Sequence, residues 1–425
     1  MTALTKFRTA CYTVEGMNSF ATVIYFNYLY FFFRDQFGFN DRQNLELAAL
    51  IGLIYTIASW LAGRFAQRYG YFTALKLGFG VMAGGLATGL QLHTVMGEIS
   101  MACVVNVGMC FIWPSLEALV SEGDEPEHVP HAIGIYNITW ATANASAYFI
   151  GGTLIEQFGY RSLFYVPLTF LVVQLALVVW MEKAHARLSL APQKAGGTPG
   201  SDRPSAAMAK AFQRMAWLAN PFAYIAINTL LAVMPGIAAK FHLSPMLAGF
   251  ACSLWCFARL FAFVVLWKWT RWHYRFRWLG TAFVLLILSF AVILVAPALP
   301  VVLLAQVVFG VAIGLIYYSS LFYSMDASET KGEDGGIHEA AIGVGNCLGP
   351  AVGAASLQFL PQYANSGALA VSALLVVGFG GLLTIWKTAR CYLRRTRGRC
   401  VSAHSPPTSC GWLMPLMPCR HGLSR

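Results

Sequence analysis

The sequence predicts an all-α integral membrane protein, with twelve transmembrane helices in two pseudo-symmetric six-helix bundles. Three observations carry this expectation. Mostly apolar runs of about 20 residues, the length that crosses a bilayer core, recur twelve times along the chain. Only 11% of the residues are charged and 57% are hydrophobic, whereas a water-soluble domain carries about 25% charged residues. A polar segment containing Gly and Pro then divides the runs six and six.

The first six runs fall at 10–33, 47–66, 73–94, 97–120, 132–155 and 162–181. The second six fall at 214–238, 247–267, 278–297, 300–324, 337–360 and 366–387. The first opens on "YTVEGMNSFATVIYF" and ends in the aromatic stretch "NYLYFFF". Each run is too long and continuous for a barrel strand, which alternates over about ten residues. Pro114, Pro167, Pro235 and Pro350 fall inside runs, where membrane helices tolerate proline. The expected organisation is therefore 1–181 as the first bundle, 182–213 as a cytoplasmic linker, 214–389 as the second bundle and 390–425 as a disordered cytoplasmic tail. The tail from Gly398 has no periodicity and reads as dispensable.

Lys and Arg set the orientation. Twenty-two lie on the side of the N terminus, the linker and the C-terminal stretch to residue 399; four, Arg34, Arg42, Arg161 and Lys240, lie opposite. Both termini are thus expected in the cytoplasm, and the membrane is the inner or plasma membrane. The stretch Ser121–His131 is acidic, but acidic residues weigh little in orientation. The net charge of +11 is spread over short loops rather than a folded basic face, so no nucleic-acid partner is expected. No cleavable signal is expected, because the first apolar run is too long for one. The ten Cys include no C-x-x-C pair; Cys11, Cys103, Cys110, Cys252, Cys256 and Cys347 lie in apolar runs and read as packing residues.

The halves carry a short repeat. Ile133-Gly134…Asn137 opens the fifth run and Ile342-Gly343…Asn346 the eleventh, each after an acidic approach. Parallel six-helix repeats are one known transporter architecture. The stretch "GRFAQRYGYF" between runs two and three resembles the loop of the major facilitator superfamily, which reads G-x-x-x-D-R-x-G-R-R/K. Gly63, Arg68 and Gly70 match; Gln67 replaces the acidic residue and Tyr71 a basic one. The family's G-x-x-x-G-P-x-x-G signature appears as Gly345…Gly349-Pro350…Gly353. Antiporters of the family carry it in span five and this chain carries it in span eleven, so the antiporter role does not transfer. Small residues at every fourth position let helices approach closely, and Pro350 offers either packing or a gating bend. The resemblance covers the chain to about residue 390 and implies a twelve-helix carrier.

In the resembled family the first helix of each three-helix unit lines the central cavity. Glu15, Asn18, Thr22 and Tyr25 share one helical stripe, which the resemblance places on an aqueous path; a position near the cytoplasmic rim is the alternative for Glu15. Arg259 falls near the bilayer midplane, where a charged side chain faces cavity or partner. It is the expected anchor for an anionic substrate group. Trp113, Asn137, Trp140, Asn144, Asn228 and Tyr317 join it as substrate-binding candidates, since Trp and Tyr offer flat apolar area with a polar tip. Glu15, Glu117 and Glu339 are candidates for coupling, and Gly63, Arg68, Gly70, Gly345, Gly349 and Pro350 for gating. His338 and the acidic residues before it read either as a titrating group or as a charged helix start.

The expected function is secondary active or facilitated transport of a small polar solute, with an organic anion as one candidate class, by alternating access. Efflux of cationic or amphipathic drugs, or a non-transporting sensor on the same fold, is the alternative. An enzyme is not expected: His338-Glu339 lacks the second His of a zinc-protease helix, because position 342 is Ile. No nucleotide motif and no cofactor are expected. The partners are a small-molecule substrate, the lipid bilayer and protons or another coupling ion, and the chain is expected to be a monomer.

Overall fold

The computed structural model describes residues 3–120, 129–187, 206–327, 331–363 and 365–399. The acidic stretch 121–128, most of the linker and the tail from residue 400 lie outside these, as do the side chains of the acidic residues before His338. Among the described residues every regular element is a helix: α1(Ala3–Phe37), α2(Asp41–Tyr69), α3(Tyr71–Gly89), α4(Val95–Cys110), α5(Trp113–Val120), α6(Val129–Phe158), α7(Ser162–His185), α8(Ala206–Lys240), α9(Pro245–Cys252), α10(Leu254–Lys268), α11(Phe276–Val295), α12(Leu299–Ala327), α13(Lys331–Phe359) and α14(Ser366–Arg399).

These fourteen segments make twelve rods, because α4 with α5 and α9 with α10 each form one interrupted rod. The first interruption follows from Pro114, which has no N–H and whose ring crowds the carbonyl four residues earlier. The chain tightens there, with Phe111 N–H donating to Gly108 O at 3.2 Å and Ile112 N–H to Met109 O at 3.0 Å. Local chemistry fixes other ends. Asn40 and Gln43 form a capping box at α2, each side chain accepting from the other's backbone N–H at 3.0 Å. Gly70, at φ +92°, makes the turn into α3 that a side chain would strain. Ser244 caps α9 and Pro245 takes its first position.

Among the described residues nine rods are long and apolar enough to span a bilayer on length and composition. The other three, α1, α3 and α6, carry more polar residues and glycine. Several helices are longer than the apolar runs predict: α1 begins at Ala3, α8 at Ala206, and α14 continues to Arg399 through residues expected to begin the tail. Large apolar side chains such as Trp60, Val172, Leu304, Phe261 and Val377 are exposed on the outer face. That is the surface a lipid solvent requires.

The two halves repeat one packing scheme. In the first, α1 packs on α6 and α7, α3 on α4 and α7, and α2 on α4. In the second, α8 packs on α13 and α14, α11 on α12 and α14, and α10 on α12. Between the halves, α2 lies along α13, and α6 lies along α9 and α10. The repeated glycines mark these seams. A Cβ on Gly343 would come within 2.7 Å of Thr56 Cα, and one on Gly134 within 2.5 Å of the Trp267 ring. Gly52 faces the backbone of Asn346 and Cys347, and Gly152 the Pro245 carbonyl, with no room for a side chain.

Candidate functional site

Between the halves lies a cavity of about 1120 Å³ of empty space, solvent included, lined from α1, α2, α4, α5, α6, α8, α10, α12 and α13. Residues projecting at helical spacing from α1 form one wall: Glu15, Ser19, Thr22, Phe26 and Tyr30. The predicted stripe is therefore rotated. Glu15 and Thr22 line the cavity, whereas Asn18 and Tyr25 do not. Asn18 is wholly buried, and Tyr25 packs its ring on Phe26 and Phe164. Both faces of α1 are buried, so polarity alone did not select the wall.

Arg259 is 4% exposed and lines the cavity near the middle of its rod. Its guanidinium lies 4.5 Å from the ring centre of Trp140 and 4.8 Å from that of Trp255. A cation over an indole face is attracted by the ring quadrupole, so two rings from opposite halves hold the group. Its Nε and Nη2 are buried without a hydrogen-bond acceptor. Trp140 is itself aimed, because its Nε1 donates to Asn137 Oδ1 at 2.9 Å. Asn137 thus acts from behind the cavity wall rather than in it. Tyr317 lies edge-on to Trp140 at 5.2 Å and also meets Phe263, Tyr224 and His338.

Three carboxylates line the same cavity. Glu15 is fully buried; Ser19 Oγ and Trp113 Nε1 donate to its Oε1 at 2.8 and 3.2 Å, and its Oε2 accepts nothing. Tyr55 donates from α2 to Glu339 Oε2 on α13 at 2.5 Å, which joins the halves through one hydrogen bond. Glu117 lies within electrostatic range of both Glu15 and Glu339. Asn228 donates to Asn346 Oδ1 at 2.5 Å, and both line the cavity with Asn144.

The remaining candidates lie elsewhere. Gly63, Arg68 and Gly70 sit at the α2–α3 end, with Gly63 buried and the Arg68 guanidinium 5.4 Å from the Tyr69 ring. Gly345 and Gly349 bring α13 against α8, facing the carbonyls of Pro221 and Ile225. Pro350 is buried within an α13 that runs unbroken from Lys331 to Phe359. His338 opens toward Tyr317 with its Nε2 buried and unpartnered. The cavity also contains residues that the sequence did not single out: Ser19, Asn27, Tyr30, Tyr55, Tyr136, Tyr224, Trp255 and Asn346. Two had a signal. Ser19 stands one turn after Glu15, and Asn346 closes the repeated Ile-Gly-x-x-Asn.

Known proteins share this architecture. The family model of the Major Facilitator Superfamily matches residues 9–350. Among solved structures, the human organic anion transporter MFSD10 (TETRAN) is similar at 14% identity and a TM-score of 0.64, covering 90% of this chain and 100% of that one. A bacterial homologue of the human lysosomal transporter Spinster, inward-facing and unoccupied, is similar at 13% identity and a TM-score of 0.60, covering 96% and 100%. The POT family transporter PepTSo is similar at 12% identity and a TM-score of 0.68, covering 91% and 98%. At such identities the likeness establishes the fold. No curated protein shows significant sequence similarity to the chain. With the family model spanning most of its length, this chain belongs to the Major Facilitator Superfamily and is a multi-pass membrane transporter.

Proposed function

We propose that the protein moves a small organic anion across the inner or plasma membrane by alternating access. Residues 1–181 and 214–389 act as the two moving halves, with both termini and the linker 182–213 in the cytoplasm. The observation that carries this reading is Arg259. It is a permanently charged side chain, buried in the central cavity, held by two indole faces and lacking an acceptor for two of its nitrogens. Among the described residues no carboxylate lies within ion-pair distance of it. An incoming carboxylate would supply what it lacks. Asn144, Asn228 and Tyr317 would add polar contacts around the solute, and Trp113 and Trp140 would add apolar area. Glu15, Glu117 and Glu339 are the groups assigned to a coupling proton.

The test is a thermal-shift screen of the purified protein against organic anions, sugars and cationic drugs. Arg259→Ala should abolish the response to any anion that stabilises the wild type, because removing one side of a buried charge pair costs about 2–5 kcal/mol. Unchanged affinity in that variant would remove the anion class. A second reading, efflux of a cationic amphiphile, is favoured by the three cavity carboxylates. Under that reading cationic drugs alone would stabilise the protein, and Glu15→Gln would weaken them.

A further inference from the structure

The cavity carries charge of both signs at separate places, and an anion alone satisfies only one of them. At one pole is Arg259. Its unpartnered Nε and Nη2 lie on one edge of the planar guanidinium, the fork that takes both oxygens of a carboxylate. The unpartnered, buried Nε1 of Trp255 adds a further donor on the same cavity wall. At the other pole are Glu15, with Oε2 buried and unpartnered, and Glu339 across the cavity on the opposite half. Among the described residues no Lys, Arg or His stands within ion-pair distance of either carboxylate.

Aromatic hydroxyls line the same cavity beside these groups. Tyr224 lies within electrostatic range of both Arg259 and Glu339. Tyr317 lies within range of Tyr224, Glu339 and Glu15. We infer that the cavity is built for a zwitterion, an organic solute with a carboxylate at the Arg259 pole, an ammonium at the Glu15–Glu339 pole and a ring-bearing body against Trp140, Tyr224 and Tyr317. A buried charge without a partner is costly. A dipolar solute satisfies both poles at once and enters with no net charge. The inference rests on the reading of Arg259 as a carboxylate anchor and adds the second anchor.

Matched probes test it on the purified full-length protein by calorimetry and thermal shift. One set is phenylalanine, hydrocinnamate and phenethylammonium. The other is the dipeptide phenylalanyl-phenylalanine with its N-acetyl and C-amide forms, which places the charges farther apart. The expected result is that one dipolar probe binds about thirtyfold or more tighter than both of its singly charged counterparts. In Glu15→Gln/Glu339→Gln the preference for the dipolar over the carboxylate-only probe should collapse toward one. Elution profile and melting temperature report whether that double variant folds, and Glu339→Gln alone replaces it if it does not.

Carboxylate-only probes that bind as tightly as dipolar ones would overturn the zwitterion and leave the anion reading standing. Ammonium-only probes that bind tightest would overturn both. Failure of both dipolar probes to bind would overturn the zwitterion, with the wider anion screen still deciding the role of Arg259.

Discussion

The two seams between the halves are built from different materials. Along α2 and α13, backbone meets backbone: Gly52 faces the Asn346 and Cys347 main chain, Gly343 faces Thr56, and one polar contact, Tyr55 to Glu339, closes the row beside the cavity. Along α6 and the α9–α10 rod, Gly152 meets the Pro245 carbonyl and Gly249, and side chains follow. Phe149 stacks on Phe250 at 4.3 Å, and Trp267 covers Gly134 and His131. Helices in lipid gain little from apolar burial and associate through close packing and interhelical hydrogen bonds. A glycine seam is therefore intolerant of added volume, whereas an aromatic seam can repack by rotating rings.

Substitutions on each side separate the two behaviours. The largest effect is expected for Gly52→Val, because its side chain would overlap the α13 main chain. Thiol labelling of half-buried Cys347 in native membranes should rise about tenfold, as it would if the seam parted. Gly152→Val should part the other seam and expose buried Cys252, by a smaller factor because ring contacts remain to hold α6 against α9. Equal labelling in the two variants would break the distinction. Tyr55→Phe removes the hydrogen bond that crosses the α2–α13 seam beside the cavity. Such bonds contribute about 0.6 kcal/mol on average in a membrane, so Cys347 labelling should rise by about threefold or less and Cys252 labelling should not change. Phe149→Ala should lower the melting temperature slightly and leave Cys347 labelling as it was. Deleting residues 400–425 is expected to change none of these readouts; well-inserted protein that had lost ligand response would show that the tail matters.

Much of the architecture was legible because lipid is a simple solvent. Every span needs a long apolar run. Arg259 could be found because a lone charge inside an apolar run has few tolerable places. The α4–α5 break was readable at Pro114, but the α9–α10 break at Ser253 carries neither Gly nor Pro and was not. The wall that α1 presents is offset by one position from its polar stripe: Ser19 and Phe26 line the cavity where Asn18 and Tyr25 do not. The rotation of α1 is set by α6 and α7, not by its own polarity. Tyr55 and Tyr224 gave no signal, since a tyrosine in an apolar helix reads the same wherever it points.

The interruption at Ser253 has a mechanical meaning. Upstream of it, α9 packs across the seam on α6; downstream, α10 packs on α12 of its own half and on α6 as well. A single serine in helical conformation joins the two segments; its N–H donates to Gly249 O at 3.1 Å and its carbonyl accepts from Cys256. The rod thus belongs to the second half by chain and to both halves by packing, so any displacement of one half against the other, as in the proposed transport cycle, must be accommodated along its contacts with α6.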